Sequence, residues 1–188
     1  MTTHELCGAL GERPVIAAVR DESALGEALN SRSAAVFFLG GSILSLPGWV
    51  EAAKRAGKAA FAHVDLLQGV KADAAAIEWC KQATPLDGVI STRAPLLKIA
   101  RGMGLITIQR LFLVDSSSLA TGIRLMHASP PDMVEVLPGL VGKAIRTLKI
   151  ELGRPVIAGG MITEEEEAGR ALRAGAIAIS TSRVSLWK

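Results

Sequence analysis

The sequence predicts one domain, a compact (β/α)₈ barrel of the TIM type that spans residues 1–188. Eight short apolar runs alternate with longer segments of helical character. The runs begin about 17 to 28 residues apart, a spacing that suits crossover helices and is too long for hairpins. Hydrophobic residues make up 49% of the chain and aromatic residues only 4%, so the core must be aliphatic. Such a core is typical of parallel strands that are buried on both faces.

The eight runs have the features of buried strands. They are short, rich in β-branched residues and bounded by glycine, proline or charged residues. We predict strands at Val15–Val19, Ala35–Leu39, Ala59–Val64, Gly88–Ile90, Leu105–Ile108, Met133–Val136, Pro155–Ala158 and Ala176–Ile179.

Several of the intervening segments carry helix signals. Asp21 can cap a helix that begins near Glu22, and Thr163 stands three residues before Glu166, which is the spacing of a capping box. The last βα unit is curtailed, because only nine residues follow Ile179. Glycines that stop a helix before the next strand are expected at Gly57, Gly153 and Gly175.

An open, doubly wound sheet is the structural alternative to a closed barrel. The barrel is favoured because no strand is polar enough to look like an edge, and because no G-x-G-x-x-G motif follows the first strand. The chain is short for this fold, which typically needs about 250 residues, so its loops must be minimal.

The composition excludes several classes of protein. Cys7 and Cys80 lack metal-ligand spacing and are too few for a disulfide framework, so we expect a reducing compartment and no metal site. The segment Met1–Glu5 lacks the features of a signal peptide, and no apolar run approaches the roughly 18 residues that cross a membrane. We therefore expect a cytoplasmic protein without a membrane partner. The net charge of +3 permits contact with a polyanion but does not require it.

Functional groups of such barrels project from the carboxyl ends of the strands. A subset of the polar residues there can form a ring of alternating charge around one pocket: His63, Asp65, Arg93, Arg110 and Glu135. The alternative is a salt-bridge network that only closes the barrel mouth. The full set of candidate ligand-binding residues is Arg20, His63, Asp65, Ser91, Arg93, Gln109, Arg110, Glu135, Gly159, Gly160, Thr181 and Ser182.

The ends of the last two strands indicate a phosphate site. Gly159 and Gly160 let the backbone approach an anion closely, and the hydroxyl groups of Ser180–Ser182 can donate to it. A tight turn is the alternative explanation for the glycine pair taken alone. The two loops together favour a small phosphorylated ligand.

The residues leave an enzymatic role open. A Schiff-base mechanism needs a lysine aimed into the pocket, and no lysine lies within a strand. A proton-transfer mechanism needs a base, for which Glu135, Asp65 and His63 are candidates by residue type. An isomerase or lyase acting on a small phosphorylated substrate is therefore one alternative function.

A possible RNA surface follows the sixth strand. Lys143, Arg146 and Lys149 recur every three residues on one helix face, and Arg154 comes next. A solvated helix face is the usual meaning of such charges. Nothing resembles an aromatic stacking platform, because the chain has no tyrosine and four phenylalanines.

The exact strings resemble the glycerol-uptake-operon antiterminator family, from about Pro14 to the end of the chain. Six of them occur in order: His63–Gly69, Ile90–Arg93, Ile108–Leu113, Val134–Gly139, Ile157–Ile162 and Ser180–Ser182, the last followed by Leu186–Lys188. Two positions depart from the family pattern: Leu39–Ser42 matches loosely, and Gly142 stands where a proline is expected.

The resemblance implies a regulator and not an enzyme. It implies a barrel that binds glycerol 3-phosphate as an effector, without a cofactor or catalytic residues. The liganded protein would bind the leader of a glycerol-utilisation messenger RNA and prevent transcription termination. A third possibility is a barrel that binds a phosphate ester and has no RNA partner. A homo-oligomer is compatible with all three hypotheses.

Overall fold

The computed structural model describes all residues, 1–188, and confirms the predicted barrel. Eight parallel strands pair in chain order, and the last pairs with the first through Val15 and Ile179, which closes the sheet. The strands are β1 (Val15–Val19), β2 (Ala35–Phe38), β3 (Ala59–His63), β4 (Gly88–Ser91), β5 (Ile106–Phe112), β6 (Met133–Leu137), β7 (Val156–Gly159) and β8 (Ala178–Thr181).

A helix follows each of the first seven strands, and another precedes β1. The α-helices are α1 (Thr3–Glu12), α2 (Leu25–Asn30), α3 (Leu46–Arg55), α4 (Ala74–Ala83), α5 (Ala94–Gly102), α6 (Ser116–Ala128), α7 (Gly142–Leu152) and α8 (Glu165–Arg173). Short 3₁₀ helices cover Glu22–Ala24, Val64–Leu66 and Val184–Leu186. Only the last of these follows β8, so the final βα unit is curtailed as predicted. No helix is both long and apolar enough to cross a membrane.

The helix α1 was not predicted, although its cap is visible in the sequence. The Thr2 hydroxyl accepts from the Glu5 N–H, and the Glu5 carboxylate accepts from the Thr2 N–H. Leu6 and Leu10 are buried in the same cluster as Ala59, a residue at the start of a barrel strand. The helix therefore covers the N-terminal end of the barrel and leaves the opposite end open.

The strands separate two buried layers, because successive side chains point to opposite faces. The inner cluster fills the barrel with Ile16, Phe37, Phe61, Ile90, Ile108, Met133 and Ile157. The outer clusters pack under the helices and include Val36, Ala60, Val89, Val134, Val156 and Ile179. The position of a polar residue in this alternation decides whether it reaches the interior of the barrel.

The predicted helix ends are mostly confirmed. Asp21 caps the first 3₁₀ helix by accepting from the Ser23 N–H. The cap at Thr163 is wrong by one residue, because α8 has its capping box between Glu164 and Glu167, and Thr163 only donates to Glu167. The three helix-stop glycines have positive φ angles as expected: Gly57 at 71°, Gly153 at 58° and Gly175 at 107°.

Candidate functional site

A cavity of about 300 Å³ opens at the carboxyl ends of β1, β2 and β5–β8. Six of the twelve predicted ligand-binding residues line it: Arg20, Arg110, Glu135, Gly160, Thr181 and Ser182. Sequence reasoning missed the contributions of Thr163 and Arg183, whereas Ser180 was named at the predicted phosphate site but left out of the set of twelve. The signal for Arg183 was its position directly after the serine and threonine residues at the end of β8.

A buried ion pair forms the floor of the cavity. The Arg110 Nε lies 2.7 Å from Glu135 Oε2, and the two side chains are 5% and 1% exposed. The Ser180 hydroxyl donates to the other carboxylate oxygen, Oε1. A Cβ atom at Gly159 would lie only 2.6 Å from both Glu135 Oε1 and Ser180 Oγ. Glycine is therefore required at this position for the carboxylate and the hydroxyl to meet.

The loop between β7 and α8 presents unsatisfied backbone donors. Gly160 and Met161 are consecutive residues with positive φ, 70° and 61°, and Met161 is the only non-glycine residue with such an angle. The N–H groups of Gly160, Met161 and Ile162 have no acceptor within the protein. Successive N–H groups in a turn of this kind form a concavity that binds anions. All three residues line the cavity, so the loop is suited to a phosphate group.

The charge of the cavity also favours an anion. Three arginines and one glutamate line it, which gives a formal net charge of +2. Arg110 is neutralised by Glu135, whereas Arg20 and Arg183 form no ion pair within the chain. Two free guanidinium groups beside unpaired N–H donors suit the bidentate, charge-assisted contacts that a phosphate accepts.

The predicted ring of charge is found only in part around this cavity, because Arg110 and Glu135 line it whereas His63, Asp65 and Arg93 do not. Asp65 accepts from the Ser91 hydroxyl at 2.9 Å, the Thr92 N–H at 2.8 Å and the Arg93 Nε at 3.0 Å. Burial raises the pKa of Asp65, but these hydrogen bonds outweigh it and hold the pKa below its usual value. None of these four residues lines the cavity, and together they fix the loop between β4 and α5.

His63 is the last residue of β3, at the carboxyl end of the strand, and it is 3% exposed. Its Nδ1 has no hydrogen-bond partner and is 3.7 Å from Asp65 Oδ2, beyond hydrogen-bond distance. Burial, reinforced by the positive charge of Arg110 and opposed by Asp65, lowers the pKa of His63 to about 4. The imidazole is therefore neutral near pH 7. It does not line the cavity, and its ligand role stays a prediction.

Three further predicted residues, Ser91, Gln109 and Thr181, lie on the outward faces of their strands. Gln109 donates to the Thr92 carbonyl at 2.7 Å, and Thr181 donates to the Ile162 carbonyl at 2.7 Å. Thr181 thereby holds the loop between β7 and α8 in place while also reaching the cavity wall. The observed contacts of these residues position loops, and direct contact with a ligand stays a prediction.

The predicted basic face lies on the outside of α7. Lys143, Arg146 and Lys149 are exposed, Arg154 is half-buried, and none of the four forms an ion pair with an acidic residue. Their role in RNA binding stays a prediction.

Comparison with known proteins decides the family. The sequence profile described as "Glycerol-3-phosphate responsive antiterminator" matches residues 15–187, nearly the whole chain. The chain belongs to this family. The resemblance found in the sequence strings is thereby confirmed, and the family is a regulatory one.

Members with solved structures share this barrel closely. The glycerol uptake operon antiterminator regulatory protein from Listeria monocytogenes has a TM-score of 0.88 at 32% identity, over 93% of this chain and 95% of that one. A glycerol uptake operon antiterminator-related protein from Thermotoga maritima has a TM-score of 0.82 at 35% identity, over 92% and 96% of the two chains. In Escherichia coli K12, the uncharacterized protein YgcP is 40% identical over 178 residues, 95% of this chain and 93% of the relative.

Barrels of enzymes are more distant. The deoxyribose phosphate aldolase from Aeropyrum pernix is 13% identical with a TM-score of 0.72, which shows a shared fold alone.

Proposed function

We propose that this antiterminator binds glycerol 3-phosphate in the cavity at the carboxyl end of the barrel. The liganded protein then binds the leader of a glycerol-utilisation messenger RNA and prevents transcription termination. The observation that carries the ligand site is the loop with three unpaired N–H groups, Gly160–Ile162, beside two unpaired arginines. The name of the family supports glycerol 3-phosphate as the phosphate ester.

The cavity divides its polar groups between the two ends of such a ligand. The loop N–H groups, Arg20 and Arg183 suit the phosphate, whose charge they neutralise. The Arg110–Glu135 pair and the Ser182 hydroxyl offer both donors and acceptors, which suits the hydroxyl groups of glycerol. We therefore expect the glycerol end to lie over the buried ion pair.

Two features support a regulator over an isomerase or a lyase. No lysine lines the cavity, so it offers no amine for a Schiff base. Both carboxylate oxygens of Glu135 already accept hydrogen bonds, from Arg110 and Ser180. A carboxylate held in this way is suited to recognition of a ligand and poorly placed to abstract a proton. The proposal requires neither a catalytic residue nor a cofactor.

The proposed response depends on thermodynamic linkage. A ligand promotes RNA binding only if it binds the RNA-competent state better than the other state. The candidate RNA contacts are the exposed cations of α7, Lys143, Arg146 and Lys149, together with Arg154. These contacts would be made to phosphates and would therefore weaken as salt rises.

A gel-shift assay with the organism's own leader transcript tests this function. We expect a complex with glycerol 3-phosphate and little or none with glycerol. A complex that forms equally with and without the ester would contradict regulation by the ligand. If no complex forms at all, the hypothesis of a phosphate-ester-binding barrel without an RNA partner would be favoured. Turnover of a phosphorylated three- to six-carbon substrate, lost in Glu135→Gln, would instead establish the enzyme.

A further inference from the structure

A second cavity, separate from the ligand site, lies in the seam between α7 and α8. Its volume is about 300 Å³, and its walls carry Arg146 from α7 and Arg170 and Arg173 from α8. A third cavity of about 480 Å³ follows along the same seam and is lined by Lys149 and Arg154. We call these two cavities and their five cationic residues the basic cleft.

The charges of the basic cleft are poorly balanced within the protein. Glu167 is the only acidic residue that lines it, and its carboxylate already accepts from the N–H groups of Thr163 and Glu164. Arg170 pairs with Glu166 at 3.3 Å, but both side chains are exposed, so solvent screens this pair. The other four cations have no acidic partner.

The shape of the basic cleft suits a chain of phosphates better than a single one. Five cations are spread over two successive cavities, whereas a small phosphate ester would occupy one. No aromatic side chain lines either cavity, so bases have no surface on which to stack. Contacts of this kind would be made to the phosphodiester backbone and would position a nucleic acid without reading its bases.

Both walls of the basic cleft begin at loops that line the ligand cavity. Leu137 lies in the cavity wall just before α7, and Gly160–Thr163 lie in it just before α8. The two loops are joined, because the Gly139 N–H donates to the carbonyl of Gly159 at 2.6 Å and approaches that of Gly160 at 3.3 Å. An anion bound at the loop before α8 is therefore one hydrogen bond away from the loop that leads into α7.

We infer that the basic cleft between α7 and α8 binds the phosphodiester backbone of RNA, and that the joined loops connect it to the ligand cavity. This inference rests on the proposed function, because it takes RNA as the partner. It extends the predicted face on α7 across the seam to Arg170 and Arg173. It also places Lys143, which lines neither cavity, outside the main contact.

The test is fluorescence anisotropy with the labelled leader transcript, at several salt concentrations, with saturating glycerol 3-phosphate. The test variant is Arg146→Glu/Arg173→Glu, and Arg146→Gln/Arg173→Gln repeats it without charge reversal. The matched control is Lys98→Glu/Arg124→Glu, which changes the same net charge at exposed, unpaired helix positions away from the seam. Calorimetry with glycerol 3-phosphate, without RNA, shows for each variant whether the ligand cavity is intact.

We expect the Glu variant to lose RNA affinity by at least about tenfold relative to the control, and its salt slope to fall by about one for each phosphate contact removed. The Gln variant should show the same direction with a smaller loss. Equal RNA affinity of test and control variants would overturn the cleft and leave the proposed function standing. If the unmodified protein binds the transcript neither with nor without ligand, the proposed function fails, and the cleft fails with it.

Discussion

At the residue scale, Gly159 shows how closely the site is packed. Its Cα lies against the hydrogen bond between Glu135 and Ser180, where a methyl group would overlap both oxygen atoms. We expect Gly159→Ala to lower the free energy of unfolding by about 1 to 3 kcal/mol through overpacking, and to weaken glycerol 3-phosphate binding.

Urea denaturation and calorimetry check this prediction. The matched control is Gly48→Ala on α3, where the added carbon would meet nothing within 4 Å. That change should be neutral or stabilise the protein by up to about 1 kcal/mol, because alanine favours helix. Equal effects of the two substitutions would show that the close packing around Gly159 is unimportant.

His63 predicts a pH dependence of stability. Burial and the charge of Arg110 lower its pKa from 6.5, the value for an exposed histidine, to about 4 in the folded protein. Between pH 6.5 and 4 the unfolded chain therefore binds a proton at His63 that the folded protein does not. Stability attributable to His63 is therefore complete above pH 6.5 and falls as the pH drops towards 4, by about 3 kcal/mol in total. Urea unfolding of the wild type and His63→Gln between pH 7 and 4 measures this. Parallel pH curves for the two proteins would contradict the assignment.

Much of the site could be predicted from where the strands end, but not which face a residue occupies. Arg110, Glu135 and Gly160 were placed correctly in the cavity wall because they lie towards or just beyond the carboxyl ends of buried strands. Ser91 and Gln109 also lie on strands that lead to the carboxyl end of the barrel, yet they point outward, since one residue of offset reverses the face. Pairing partners such as Asp65 with Arg93 depend on loop conformations that short strings do not specify.

At the scale of elements, the loop between β7 and α8 is the proposed site of the phosphate group. Met161 holds a left-handed conformation there, which β-branched residues adopt only at a cost. We expect Met161→Val to weaken glycerol 3-phosphate binding by about tenfold, the equivalent of about 1.4 kcal/mol. Met161→Gly, which accepts this φ readily, should bind as well as the wild type. Calorimetric titration of both variants checks this, and loss of affinity in the glycine variant would show that the side chain itself contacts the ligand.

The helix ends illustrate what local sequence can and cannot specify. Glycines with positive φ were predicted correctly because few other residues tolerate that conformation. The start of α8 was misplaced by one residue because four consecutive glutamates offer several equivalent caps, and only the packed loop selects Glu164. The helix α1 was missed because its two buried leucines acquire a partner only when the barrel closes.

At the scale of the whole molecule, the packed apolar core lies at the N-terminal end of the barrel and the proposed ligand cavity lies at the carboxyl end. The N-terminal end is covered by α1, and the apolar interior rises from it to the ion pair between Arg110 and Glu135. The fold could be predicted because the eightfold alternation is a property of the entire chain. The proposed coupling between ligand and RNA could not be predicted from the sequence, because it depends on a hydrogen bond between Gly139 and Gly159, which are about twenty residues apart in the chain.

The central claim is that the cavity recognises a phosphate ester, and thermal unfolding with added ligand tests it most directly. At 100 times Kd, glycerol 3-phosphate should stabilise the protein by about 2.7 kcal/mol and raise Tm by about 5 to 10 °C. Arg20→Ala/Arg183→Ala should reduce the shift, and glycerol should leave Tm unchanged. A Tm that does not move at millimolar glycerol 3-phosphate, or that moves equally with glycerol, would contradict the account.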